Sequence, residues 1–162
     1  MRNFHKSSAI VLCFLLASCG FELQDTSLLS SKLGTTYIQT NDPYSLFYKT
    51  LKKTMKSNGF LISDNRVGAS TILILNEDEF LERVITVSSS NYPKEYEVRL
   101  LVKWSLIHQN QTVIESMQFT QDQDYSFDQN QLLGKVNESD FIKQALAEQL
   151  TEKIFLRINE VL

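Results

Sequence analysis

Apolar and polar residues change their spacing several times along the chain, and each change predicts a secondary-structure element. Residues 35–40 are rich in β-branched and aromatic side chains and predict a first strand. After Pro43 apolar residues recur at intervals of three and four, which predicts an amphipathic helix with Asp42 as its N-cap and Asn58-Gly59 at its end. The apolar positions of this helix are Tyr44, Phe47, Tyr48, Leu51 and Met55.

The middle of the chain has the pattern of β-structure. Residues 70–75 predict a second strand, which the acidic cluster at 77–79 interrupts or ends, and residues 82–88 predict further strand. From Tyr96 to Leu106 every second residue is apolar, while the positions between are mixed. This alternation predicts a long strand with one face covered by helices.

The last part of the chain predicts a hairpin followed by a long helix. Residues 108–111 read as the turn and 112–127 as the returning strand, whose polar far end we expect to project beyond the packed sheet. The helix is predicted to begin near Ser139, a suitable N-cap, and to continue to the C-terminus. Its stripe at intervals of four is Ile142, Leu146, Leu150, Ile154 and Ile158.

These elements together predict an α/β fold of the α+β sandwich type. Two helices would pack on one face of a mostly antiparallel sheet of about four strands. We expect one domain at residues 34–162, since a chain of this length can bury a core of its own.

The N-terminus has the features of an export signal. Arg2 and Lys6 precede an apolar run of about nine residues, far shorter than the ~20 residues that span a bilayer. The run ends in Leu-Ala-Ser-Cys at 16–19, which resembles a bacterial lipobox. This resemblance implies a signal peptide at 1–18 and a lipidated Cys19, with 19–33 as lipidated N-terminus and tether. The alternative is an ordinary signal peptide with a chance cysteine at its end.

Processing at this site would leave an acidic chain. Cys13 would be removed with the signal and Cys19 would carry lipid, so no pair of cysteines would remain for a disulfide. The signal holds two of the 16 basic residues and none of the 19 acidic ones, so the mature charge would be 14 minus 19, or −5. Such a charge argues against broad binding to nucleic acid.

Gly20 follows the cysteine where an Asp would suggest retention in the inner membrane, so the resemblance favours the outer membrane.

Few residues of the mature chain have the chemistry of a catalytic or metal site. His108, its one histidine, falls in the predicted turn and is interpreted as a solvated loop residue rather than a catalyst. The five glycines are too scattered for a phosphate loop, and a zinc site lacks ligands. Three acids could suggest calcium but lack the glycine and the glutamate of an EF-hand: Asp122, Asp124 and Asp128.

Two further charged groups each allow two readings. One could serve as an acid–base pair but is interpreted as a solubilising strand edge: Glu77, Asp78, Glu79 and Glu82. The other could offer point charges to phosphate but is interpreted as the solvated face of the first helix: Lys49, Lys52, Lys53 and Lys56. On residues alone an enzyme is therefore not expected.

Four short motifs follow one another along the mature chain. They are Cys-Gly-Phe-Glu-Leu at 19–23 with Asp25 after it, Asn-Gly at 58–59, Lys-Glu-Tyr-Glu-Val at 94–98, and Leu-Gly-Lys-Val-Asn-Glu at 133–138. In this order they resemble the LptE family, the outer-membrane lipoproteins of lipopolysaccharide assembly. The resemblance covers nearly the whole mature domain.

The resemblance implies a plug inside a β-barrel partner, LptD, in a one-to-one complex that passes lipopolysaccharide to the outer leaflet. It implies no cofactor beyond the lipid on Cys19, and a lipid-anchored protein at the periplasmic side and in the barrel lumen. One basic lipopolysaccharide contact of the family matches Lys135. The other would fall in the turn at 88–93, which has no Arg or Lys, and Lys94 is the nearest substitute.

Two other functions remain open from the residues. A free-standing, periplasm-facing lipoprotein could bind a lipid or a soluble partner in an apolar groove between helices and sheet. A tethered hydrolase would depend on His108 or on the acids at 77–82. A stable barrel partner discriminates the plug from both.

Overall fold

A computed structural model describes the chain over residues 26–126 and 132–162, with side chains from 28 to 126 and from 138 to 162. The predicted signal peptide, Cys19 and Asp128 lie outside this part, as does the side chain of Lys135. The predicted division into signal, tether and domain stays a prediction. The elements in order are α1 Thr26–Leu33, β1 Thr36–Thr40, α2 Leu46–Ser57, β2 Ile62–Ser63, β3 Thr71–Val87, β4 Pro93–His108, β5 Gln111–Ser126 and α3 Leu132–Val161.

The strands form one sheet in the order β2-β1-β3-β4-β5. The strands β3, β4 and β5 are a meander of antiparallel neighbours, and β1 lies parallel to both β2 and β3. The mixed α+β architecture is confirmed. The described part has five strands and three helices, where about four strands and two helices were predicted.

The three long strands give the sheet two distinct ends. Thr36, Ile62, Thr71 and His108 pair with one another at one end, which we call the proximal end. The other, distal end is the region of Val87, Pro93 and Ser126, where only β3, β4 and β5 are present. A strand of 16 residues such as β4 is about 50 Å long, so the two ends are far apart.

The second strand runs through the acidic cluster instead of ending there. β3 is 17 residues long and absorbs an irregularity between Leu75 and Glu77 as a shift in its register with β4. A β-bulge of this kind lets pairing resume after an extra residue. The predicted strands at 70–75 and 82–88 are therefore one element.

The short strand β2 and the helix α1 were not predicted. Two residues, Ile62 and Ser63, carry too little periodicity to distinguish a strand from a loop. The region 19–33 was interpreted as lipidated N-terminus and tether, but its last eight residues, Thr26–Leu33, form α1. Leu29 and Leu33, four residues apart, are both buried in the core and explain why this segment is helical.

Both longer helices begin at other residues than predicted. The N-cap of α2 is Ser45, whose hydroxyl accepts the backbone N–H of Tyr48 at 3.0 Å, so Asp42 was the wrong choice. Asp42 instead accepts the N–H of Tyr44 in the preceding turn. The helix α3 begins at Leu132, and Ser139 lies inside it instead of capping it. The end of α2 at Asn58, followed by Gly59 with φ +80°, is as predicted.

One apolar core lies between the helices and one face of the sheet. The alternating residues of β4 are fully buried there, as their spacing predicted: Val98, Leu100, Val102, Trp104 and Leu106. From α2 and α3 the same core receives Leu51 and Leu150, both fully buried. The other positions of β4, such as Glu97 and Arg99, form the opposite face, which we call the open face.

Candidate functional site

The distal end brings together the two regions that hold the predicted lipopolysaccharide contacts. Lys94 is exposed at the start of β4, next to the pair that Glu95 forms with Ser126 at the end of β5. Lys135 lies in the first turns of α3, which follows β5 after the five residues 127–131. Lys94 and Lys135 are about 40 residues apart in the sequence, but both belong to segments at this end of the fold.

A partly buried cluster around the Glu82 carboxylate ties α3 to the strands beside this end. Glu82 on β3 accepts the Tyr125 hydroxyl of β5 at 2.7 Å and the Ser139 hydroxyl of α3 at 3.0 Å. The ammonium of Lys143, also on α3, lies 3.5 Å from the same carboxylate. We call these four residues the Glu82 cluster. It links β3, β5 and α3 through side-chain contacts.

The electrostatics of the Glu82 cluster follow from its burial and its donors. Burial opposes ionisation of Glu82, but the hydrogen bonds from Tyr125 and Ser139 and the charge of Lys143 outweigh it, so the pKa of Glu82 is lowered. Burial, together with donation to the Glu82 carboxylate, raises the pKa of the Tyr125 phenol. The Tyr125 ring also stacks on Tyr96 at 5.3 Å between centroids. Glu82 is thus an ionised acceptor in a structural junction.

The other acids of the 77–82 group are dispersed by the alternation of β3. Glu77 pairs with Lys103 across the strands on the open face, whereas Glu79 is exposed. Asp78 is half-buried on the helix side, and burial raises the pKa of its carboxyl. An acid–base pair is not assembled from these residues. Glu82 is exposed, as a solubilising edge requires, but it also accepts hydrogen bonds from Tyr125 and Ser139.

The open face carries charges of both signs. Glu97 receives two hydrogen bonds from Arg83, both at 3.0 Å, and lies 3.1 Å from Arg99. Asp122 and Asp124 of β5 stand opposite Arg99 and Glu97 in register. Over residues 26–126 and 132–162, no group of three acids, histidines or cysteines is placed to hold a metal ion.

His108 lies at the proximal end and contacts a threonine. Its Nδ1 is 2.8 Å from Oγ1 of Thr71, where β3 begins. This places the histidine in the packing of the sheet end, so its interpretation as a solvated loop residue was wrong. Neither an acid nor a serine of the described contacts completes a catalytic set around it.

The sequence did not predict the Glu82 cluster. Its hydrogen bonds join residues 43 and 57 positions apart, and no local spacing announces such a contact. The one available signal was Tyr125, an aromatic residue in an otherwise polar stretch of β5. The far end of β5 was predicted to project beyond the packed sheet. Because Tyr125 is buried, this end is held against α3 instead.

Comparison with known families decides which one this chain resembles. A family of lipopolysaccharide-assembly proteins, LptE, matches residues 33–158, which is most of the chain. The chain belongs to the LptE family. Membership in this family confirms the resemblance to LptE and identifies a protein of a lipopolysaccharide-assembly family.

Solved structures of similar lipoproteins have the same fold. Rare lipoprotein B from Shewanella oneidensis is 16% identical with a TM-score of 0.66, covering 78% of this chain and 95% of its own. Lipoprotein B from Nitrosomonas europaea is 14% identical with a TM-score of 0.65, covering 76% and 80%. A minor lipoprotein from Acinetobacter baumannii is 15% identical with a TM-score of 0.61, covering 78% and 90%. Among curated proteins no match was found.

LptE-family membership changes the reading of the site. None of the helices within the described residues is both long and apolar enough to cross a membrane. The surfaces from which a binding function can be proposed are the distal end, the open face and the helices.

Proposed function

We propose that this LptE-family chain is the plug of a lipopolysaccharide translocon. In this proposal it is anchored in the outer membrane through Cys19 and lodges in the lumen of the β-barrel LptD. No bond is made or broken, and the protein acts by binding and by supporting the barrel. The family match over residues 33–158 is the observation that carries the proposal.

The open face has the chemistry that the wall of a barrel lumen requires. Such walls are polar, and interfaces with them are wet and polar-rimmed. Three basic residues of the open face are paired within it, Arg83 and Arg99 with Glu97 and Lys103 with Glu77, while the carboxylates of Asp122 and Asp124 are exposed. Paired charges and exposed carboxylates can both meet a polar wall through water without leaving an isolated charge buried.

The length of the sheet supports the orientation of the plug. The tether from Cys19 enters through α1, whose last residue, Leu33, lies at the proximal end, where its carbonyl accepts the Thr71 hydroxyl. The distal end is about 50 Å away along β4. With the anchor in the periplasmic leaflet, the distal end would reach into the lumen, and Lys94 and Lys135 would meet lipopolysaccharide there. Charge-assisted contact of ammonium with phosphate is the chemistry we propose for both.

A free-standing carrier of lipid requires an apolar groove between the helices and the sheet. That region is filled by large side chains of the core, including Trp104, Phe47 and Leu150, each 0% exposed. No observation on the described residues favours the carrier over the plug. The carrier serves as the competing outcome of the test.

The test is to extract outer membranes from cells that carry a C-terminally tagged chain, to capture the tag, and to identify the co-eluting proteins. We expect one large β-barrel protein at near-equal stoichiometry that survives high salt. A parallel capture with a tagged, unrelated outer-membrane lipoprotein controls for general stickiness of the barrel. If the chain elutes alone while the barrel is intact elsewhere in the extract, the plug proposal is wrong.

A further inference from the structure

The outward side of α2 consists of lysines. At about 100° per residue, the buried residues Phe47, Leu51 and Met55 face the core, and the lysines face away from it. The helix has 12 residues, about 18 Å, and contains no acid and no arginine. The outward side, which we call the lysine face, consists of Lys49, Lys52, Lys53 and Lys56.

Most of this charge is uncompensated by neighbouring side chains. Lys52 pairs with Asp64 at 3.1 Å, and the pKa of this carboxyl is lowered first by that hydrogen bond and more weakly by Lys56. Lys49 lies over the ring of Tyr44, 5.8 Å from its centroid, and Tyr44 is 79% exposed. Lys49, Lys53 and Lys56 are all exposed. The lysine face therefore presents an excess of about three positive charges in a protein whose formal net charge is −3.

A solvated helix face does not require this arrangement. Lysines four residues apart, as in Lys49 with Lys53, repel each other, and a lysine in the first turns opposes the helix dipole. The exposed side of α3 has the usual mixture, with Glu148, Glu152 and Lys153 and an ion pair between Arg157 and Glu160 at 2.8 Å. The exposed side of α3 thus carries charges of both signs, whereas the lysine face of α2 carries positive charges only. An external anion would relieve the repulsion on α2.

The shape and position of the lysine face indicate which anion. A helix ridge is convex and cannot enclose a ligand in a pocket, but it can lie along a surface of mobile head groups, which lysines contact as point charges. The chain from Cys19 to Thr26 spans at most about 25 Å, and α1 adds about 12 Å more. The end of α2 also lies at the proximal end, because Phe60 donates to Met55 and Ile62 pairs with Thr36.

We propose that the lysine face of α2 binds the anionic phospholipid head groups of the membrane leaflet that holds the lipid anchor. This inference rests on the lipid anchoring proposed above. The anchor supplies attachment, and the lysine face supplies orientation by holding α2 against the surface. Tyr44 at the start of α2 adds an exposed aromatic residue of the kind found at membrane interfaces.

The experiment uses the lipidated full chain in vesicles of phosphatidylcholine, with or without phosphatidylglycerol. Flotation first shows whether the chain is attached. Lysines are then acetylated with a water-soluble reagent, and the rate at each site is read by mass spectrometry. In phosphatidylglycerol vesicles we expect Lys49, Lys53 and Lys56 to react about fivefold more slowly than in neutral ones. The protection should vanish at about 1 M salt, where screening is nearly complete.

Internal and variant controls accompany the rates. Lys153, on the exposed side of α3, should react equally in both vesicles. A Lys49→Gln, Lys53→Gln, Lys56→Gln variant should lose the orientation of α2 on the membrane surface. To measure this, a label is attached at Tyr44 and quenchers are attached to phosphatidylglycerol. The quenching of the label should be lost in the variant. Because the substituted positions are exposed and the lysine repulsion is removed, this variant is expected to fold.

The outcomes separate the two proposals. A chain that floats with neutral vesicles and shows equal lysine rates in both overturns the lysine face while leaving the anchor intact. Protection produced by adding lipopolysaccharide to neutral vesicles, but not by phosphatidylglycerol, assigns the face to lipopolysaccharide and also overturns the proposal. A chain that floats only with phosphatidylglycerol vesicles supports the lysine face and argues against the anchor.

Discussion

Thr71 and His108 are joined by a hydrogen bond whose direction is determined. The Thr71 hydroxyl has one hydrogen, and it donates this to the carbonyl of Leu33 at 2.6 Å. The same oxygen lies 2.8 Å from Nδ1 of His108, so that nitrogen must carry a proton and donate. Thr71 therefore connects the end of α1, the start of β3 and the end of β4.

Replacement of Thr71 by valine tests this connection. Valine has nearly the same shape but leaves the Leu33 carbonyl and the His108 N–H without their partner at a position that is 0% exposed. We expect a loss of about 1–3 kcal/mol in the free energy of unfolding, measured in urea. Thr112→Val, at an exposed position of β5, is the control and should be nearly neutral. Equal stability of Thr71→Val and the wild type would contradict the assigned bonds.

Replacement of Glu82 by glutamine tests the junction between the strands and α3. The pKa of Glu82 is lowered in the folded state, so its contribution is complete above the ordinary value of 4.5 and is lost as the pH falls through the lowered pKa. We expect Glu82→Gln to lower the free energy of unfolding by about 1–3 kcal/mol at neutral pH, and this difference to narrow as the pH falls below 4.5.

Urea unfolding at several pH values measures this difference. Glu79→Gln, on the open face of the same strand and away from α3, is the matched control and should change little. A Glu82→Gln variant whose destabilisation is the same at neutral and acidic pH would show that the carboxylate charge is not what holds α3 to the strands.

Charge reversal of Lys135 tests the proposed lipopolysaccharide contact. Lys135 lies in the first turns of α3, where a glutamate is favourable to the helix dipole, so Lys135→Glu is expected to fold normally. Lipopolysaccharide affinity should fall about tenfold if one charge-assisted phosphate contact is lost. Lys94→Glu should have a similar effect, whereas Lys153→Glu should not. Unchanged affinity for Lys135→Glu would remove this residue from the site.

Substitution of Gly59 tests the end of α2. Gly59 has φ +80°, and a Cβ there would meet no atom within 4 Å, so the only cost of alanine is backbone strain. We expect Gly59→Ala to lower the free energy of unfolding by about 1 kcal/mol. Gly59→Asn, a residue that tolerates this conformation better, should cost less. An equal loss for both variants would point to a contact that the backbone conformation does not explain.

Local spacing was enough to predict much of this protein. The strand at 35–40, the helix that ends at Asn58, the buried face of β4 and the mixed architecture all follow from repeats of two or of three and four residues. The order of four short motifs was enough to identify the family. These features depend only on residues that are close together in the chain, so they can be predicted from the sequence without the structure.

Tertiary packing decided the rest. The strand β2 exists because β1 supplies its partner, and α1 is helical because Leu29 and Leu33 are buried in the core. The role of Glu82 depends on Tyr125 and Ser139, which are 43 and 57 residues away from it along the chain. Contacts between such distant residues have no local period, so only the folded structure could place a carboxylate, a phenol and a helix at one junction.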